Sequence, residues 1–264
     1  MRKKNPWGEA APILIALAFL VVPIIVLVRM AWAERDPTED YMRAVQASMQ
    51  PDASRVSHSL VSVDLDKPVT VVAWMRKDQV PDYEGKTVAP KNKNTWVTVV
   101  PRLKQFCQDY VKSHGADSDE LRLRLKQRLG LPPQPNYDWF VQLTVDPKDV
   151  SRFFRPCGDP SPTGNTCEPA SPPKPEDIKD KLKKLDPGNS KEVEEYWVLS
   201  NYYWSFASPY QYPWTQLGYT FDWAPREDGS DDFVRWGESE FVIPAGAPIQ
   251  FLSATDTVAY CTPQ

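Results

Sequence analysis

A chain of 264 residues with 41% apolar and 25% charged residues has room for one sizeable globular domain and the charge content of an ordinary soluble protein. That balance excludes a polytopic transporter and wholesale disorder. A net charge of −4 argues against nucleic-acid binding, which normally calls for a basic face to neutralise phosphates.

The N-terminus carries the strongest signal. Arg2, Lys3 and Lys4 precede an apolar run over residues 10–28, and Arg29 is the first charge after it. At about 1.5 Å per residue such a run nearly crosses a hydrocarbon core of about 30 Å, and Met30 to Ala33 lengthen it. A helix is the one single-segment solution in lipid, because every backbone polar group must be satisfied internally. Trp7 and Trp32 bracket the run, where indole prefers the interface. The expected layout is a cytoplasmic tail (residues 1–9), a transmembrane helix (10–33), a juxtamembrane helix and linker (34–58) and an extracytoplasmic domain (59–264). Ala31-Trp32-Ala33 also offers a small-x-small cleavage site, but the apolar run is longer than a signal-peptide core of about 7–15 residues. A retained anchor in a bacterial-type inner membrane, with a periplasmic domain, is therefore expected. Either route delivers the remaining residues to the same side.

In the juxtamembrane part, Tyr41, Val45 and Met49 recur every four positions after Pro37, which predicts a short amphipathic helix on the membrane or leading from it. Strands are expected at 60–65, 69–75 and 96–100, from their β-branched runs and flanking turn residues. Pro101 opens a predicted helix with Leu103, Phe106, Cys107 and Tyr110 on one face. Ser118 is the expected cap of a second helix bearing Leu121, Leu125 and Leu129, stopped by Gly130. Residues 137–145 read as a strand, and Asp146-Pro147 as the start of a short helix toward Phe154. A proline-rich loop (155–176), a lysine-rich helix around Ile178 and Leu182, an aromatic segment (196–223) and strand-like stretches at 241–243, 249–252 and 258–261 complete the chain. The order predicts a disulfide-stabilised α+β domain of mixed sheet and helix.

Four cysteines in an exported chain suggest two disulfides. Cys157 and Cys167 flank a turn-rich stretch that a local bond closes easily, which leaves Cys107 for Cys261.

Catalytic signatures are sparse. Only His58 and His114 are present, with no Cys-x-x-Cys, no phosphate-binding glycine loop, no Gly-x-Ser-x-Gly elbow and no EF-hand spacing; Asp228 to Asp232 reads as a turn. No metal and no cofactor are expected. Twelve aromatic residues fall within 196–223. Their plain reading is core for a loop-rich domain; the functional readings are a partner surface or a ligand or carbohydrate platform, with Trp204, Tyr210, Tyr212 and Trp214 as contacts. Glu238-Ser-Glu240 leads into Phe241-Val-Ile243, with Ser205 and Ser208 in an expected aromatic strand upstream. Alone, these acids read as surface carboxylates at a strand start. The pattern resembles the Glu-x-Glu strand entrance of mono-ADP-ribosyltransferases, over about thirty residues. That resemblance implies an enzyme with Glu238, Glu240 and Ser205 at its site, the glutamate holding the nicotinamide ribose, and Arg76 as the sole candidate for the family's arginine. The leading expectation is instead a non-catalytic accessory or scaffolding subunit of a membrane complex, its helix in the lipid bilayer beside integral-membrane subunits and its domain contacting partners outside.

Overall fold

The computed structural model describes residues 36–263 apart from 50–52, 116, 149–150, 170–174, 186–192, 208–210 and 229. The expected transmembrane helix and its flanking Arg2, Lys3, Lys4, Trp7 and Trp32 lie outside the described residues. Among those described, no helix is long and apolar enough to cross a membrane. The chain divides into residues 1–40 and a compact unit, Tyr41–Gln264. The second unit is an α+β domain with two sheets.

The larger sheet is antiparallel and built from β1 (Val69–Met75), β2 (Thr95–Val99), β3 (Trp139–Val145), β6 (Phe241–Ile243) and β7 (Gln250–Asp256), in the order β6-β2-β1-β3-β7. Central β1 pairs Val71 with Leu143 and Trp74 with Phe140. From Val71 to Met75 it is buried on both faces, which is why that stretch is a continuous apolar run rather than an alternation. Val71, Ala73 and Met75 pack with Val141, Leu143, Val145, Phe241 and Ile243 on one side. Val72, Trp74 and Phe140 face the other side, where α2 (Arg102–His114) and α3 (Ser118–Arg128) lay down Leu103, Cys107, Leu121 and Leu125. Burying each of these leucines is worth about 1.5–3 kcal/mol over leaving it in water.

Both disulfides form as expected, Cys107–Cys261 and Cys157–Cys167. The first ties α2 to α6 (Thr257–Cys261), a short C-terminal helix where a strand was expected. Asp256 caps it by accepting from Ala259 N, and Trp74 Nε1 donates to Thr257 Oγ1 at 2.9 Å, which fixes the helix on the sheet.

Several expectations are corrected. Asp117, not Ser118, caps α3, accepting from both Asp119 N and Glu120 N. Residues 60–65 join no sheet; Leu60 N and Val63 N donate instead to carbonyls of Asn165 and Pro162 in the proline-rich loop. No helix follows Asp146 among the described residues. The start of the aromatic segment is helical, α5 (Val193–Tyr202) widening into a π-type turn at Tyr203–Ala207, rather than the strand implied by its aromatics. The helix read as a juxtamembrane connector, α1 (Pro37–Ser48), buries Tyr41, Ala44 and Val45 in the domain core.

The second sheet, β4 (Tyr219–Pro225) with β5 (Phe233–Ser239), had no counterpart in the sequence reading. It packs Phe221, Trp223 and Phe233 against Phe206, Trp214 and the Tyr41 face of α1. The connecting turn is the expected one, with Asp228 Oδ1 accepting from Ser230 N. The lysine-rich helix forms as α4 (Pro175–Leu182).

Candidate functional site

Between the two sheets lies a cavity of about 530 Å³. Its floor is apolar: Val72 of β1, Val97 of β2, Leu103 of α2, Leu129 and Leu131 after α3, and Phe221 of β4. Seven aromatic rings border it, from Trp74, Trp96, Tyr137, Trp204, Tyr212, Trp214 and Phe221. Three of these are more than a third exposed, Trp96 at 39%, Trp204 at 52% and Tyr212 at 39%, so they form the open side. Trp214 is 3% exposed, and its Nε1 donates to Pro156 O.

Glu240 is the one carboxylate among the lining residues. Local geometry puts it there. β5 ends at Ser239 in the small sheet and β6 begins at Phe241 in the large one, so Glu240 is the single residue between them. Its backbone N donates to Gly218 O at 3.0 Å. Pairing of Val97 with Phe241 brings Thr98 alongside it, and both line the cavity. Gly218 has φ +76°, and a Cβ there would stand 2.7 Å from Arg155 Cδ, so glycine serves both the turn and the packing.

Glu240 is only 7% exposed, and its Oε2 has no hydrogen-bond partner. Burial pushes its pKa up to about 8, against the pull of the Arg155 guanidinium. Arg155, 1% exposed, donates to the carbonyls of Val61 (2.8 Å), Gly164 (2.9 Å), Pro162 (3.3 Å) and Gly218 (3.5 Å), and its Cζ lies 4.7 Å from the Phe241 ring centre. Burial lowers its pKa to about 10, which leaves it charged at neutral pH. Two further buried atoms without partners, Thr98 Oγ1 and Asn201 Nδ2, belong to residues lining the same cavity. Lys93 is the lining cation, held by Asp82 at 3.0 Å.

The sequence-derived candidates divide. Glu240, Ser205, Trp204, Tyr212 and Trp214 meet in this cavity; Tyr210 and Ser208 lie outside the described residues. Glu238 does not join them. It is 2% exposed and its Oε1 takes Arg128 Nη2 at 2.8 Å, within a network where Asp222 also accepts from Arg124 at 2.8 and 3.0 Å. The surface placement expected for both glutamates is therefore wrong, because the strand they precede is interior. Arg76 is exposed and forms an ion pair with Asp78 (3.0 Å), away from Glu240's cavity. Glu238 and Arg76 thus leave the Glu-x-Glu resemblance with one acid and one serine at a common site.

Sequence reasoning missed Trp74, Trp96, Tyr137, Thr98 and Asn201. Trp96 carried a signal: a tryptophan on a short strand that is exposed between buried Thr95 and Val97. Among the described residues, no group of three His, Cys, Asp or Glu is placed to hold a metal ion. No protein-family model, no curated protein and no solved structure matches this chain.

Proposed function

We propose that the protein is a non-catalytic binding subunit, held at a bacterial-type inner membrane by residues 10–33, whose periplasmic domain takes a small organic ligand into the cavity around Glu240. The observation that carries the binding role is the cavity itself: an apolar floor, exposed tryptophans at the mouth and a few converging polar atoms without partners, which is how ligand sites in general are built. Catalysis is the weaker reading, since the lining residues hold one carboxylate, no histidine and one lysine already paired to Asp82.

The test is tryptophan fluorescence of the full chain in lipid nanodiscs, titrated with ring compounds of indole size, both neutral and cationic. Saturable quenching in the wild type, lost in Trp204→Ala, supports a ligand cavity. A wild type blind to every ring compound removes it.

The accessory role joins to this reading through the anchor, which would set the domain beside integral-membrane partners. Co-purification of such partners in mild detergent is the expected result; a lone monodisperse chain counts against it. Alkaline extraction checks the anchor separately, because an integral protein stays with the membrane pellet.

A further inference from the structure

We propose that the cavity's ligand is an organic ammonium ion with an apolar or aromatic body, its N–H groups donating to Glu240 Oε2 and Thr98 Oγ1 and its charge lying against the surrounding rings. The inference rests on the cavity being a ligand site, and it names the chemistry that site selects.

Glu240 supplies the first reason. A carboxylate taken out of water is costly unless a counter-charge and hydrogen-bond donors replace its hydration. Here one oxygen faces no donor at all. Arg155 is the cation whose charge acts on it, but that guanidinium already donates to four backbone carbonyls. The other groups around Glu240 do not neutralise it: Tyr219, Tyr137 and Tyr212 are uncharged at neutral pH, each with its pKa raised by burial, and Lys93 belongs to Asp82. A ligand cation supplies the counter-charge that Glu240 lacks once it ionises.

The rings supply the second. Trp, Tyr and Phe faces carry negative potential and attract cations within about 6 Å, most strongly where water is excluded. Four of the lining residues are tryptophans and two are tyrosines. A sugar would want a carpet of donors and acceptors to replace the water on its hydroxyls, and the floor of valines, leucines and Phe221 has none.

The third is a competing proton. Burial holds Glu240 protonated up to about pH 8, so an ammonium must displace that proton to bind. Its apparent affinity then falls with decreasing pH, by about 20-fold between pH 8.5 and 6.5.

The experiment uses the full chain in nanodiscs and three probes: 2-phenylethylamine, a cation across this range; 2-phenylethanol, its neutral counterpart; and methyl glucoside. Binding is read by calorimetry at pH 6.5, 7.5 and 8.5, in the wild type and in Glu240→Gln. We expect the amine to bind at least tenfold tighter than the alcohol at pH 8.5, to weaken about 20-fold by pH 6.5, and to lose both its preference and its pH dependence in Glu240→Gln. Equal binding of amine and alcohol at every pH overturns the ammonium assignment while leaving the ligand cavity standing. Tighter binding of the glucoside overturns it in favour of a carbohydrate. Failure of all three probes removes the cavity reading together with it.

Discussion

Replacing Glu240 with Gln isolates the energetic cost of the buried acid. The side chain keeps its shape and loses its ionisation. In the folded protein the carboxyl titrates at about 8, against 4.5 as its ordinary value. Between those two pH values the native state holds a proton that the unfolded state has released. Stability therefore falls as pH rises through the window, at up to about 1.4 kcal/mol per pH unit. Below pH 4.5 both states are protonated and the cost vanishes; above pH 8 it is complete, with a ceiling of about 5 kcal/mol. That is a large part of the 5–15 kcal/mol typical of a domain's whole stability. Glu240→Gln carries no such cost. We expect it to match the wild type near pH 5 and to exceed it by about 3–5 kcal/mol at pH 8.5. Urea unfolding followed by tryptophan fluorescence at pH 5, 6, 7, 8 and 9 measures both proteins, and their difference removes every other titrating group. Parallel curves, with a difference constant to within about 1 kcal/mol, would refute the buried-acid argument and weaken the ammonium proposal along with it.

The remaining predictions touch other parts of the fold. Asp222→Ala leaves Arg124 and Arg128, both less than a fifth exposed, short of a carboxylate, and should cost about 3–5 kcal/mol in urea unfolding; a loss below 1 kcal/mol would show the network to be solvated. Removing Cys107–Cys261, which spans 154 residues, should cost about 5 kcal/mol on the chain-entropy account, against about 3 kcal/mol for Cys157–Cys167, which spans 10. Paired Cys→Ser variants rank the two, and the reverse order would contradict that account. Gly218→Ala, forced against Arg155 at a positive φ, should destabilise by about 2 kcal/mol or more, seen as a lowered Tm.

What the sequence revealed depended on how local each signal was. β1, β3, α2 and α3 were legible because their patterns are set by neighbours in the chain: β-branched runs for the strands, repeating leucines and a following Gly130 for the helices. Residues 60–65 share that strand signature yet pair with a loop about a hundred residues away, which no local pattern encodes. β4 and β5 escaped notice because their registers are interrupted, between Tyr219 and Phe221 and again between Asp222 and Pro225, with Arg235 at φ +73°. Such bulges destroy the alternation by which strands are recognised. α5 misled for a related reason, since a stretch rich in Tyr and Trp carries a strand's propensity while its contacts are helical. The two glutamates were visible as a pair but not as buried. Their burial follows from a strand that leaves one sheet and enters the other at Glu240, a fact of topology.

The same topology links the cavity to the compartment in which the chain folds. Leu103 lines the floor from α2, the helix that Cys107–Cys261 fastens to α6. Arg155, in turn, acts on Glu240 while donating to the carbonyls of Pro162 and Gly164, which lie inside the loop closed by Cys157–Cys167. Each disulfide thus supports a different residue of the site, Leu103 through α2 and Glu240 through Arg155. Without the local bridge, the carbonyls that hold Arg155 gain freedom, and Glu240 loses the one cation that partly offsets its burial. Without the long bridge, the helix bearing Leu103 loses its covalent tie to α6. A cavity that selects a cation through one partly compensated carboxyl needs both residues fixed, because carboxyl titration and ring placement shift with small displacements. Both disulfides thus bear on the proposed chemistry, and the proposed extracytoplasmic placement would supply the oxidising space in which such bonds persist.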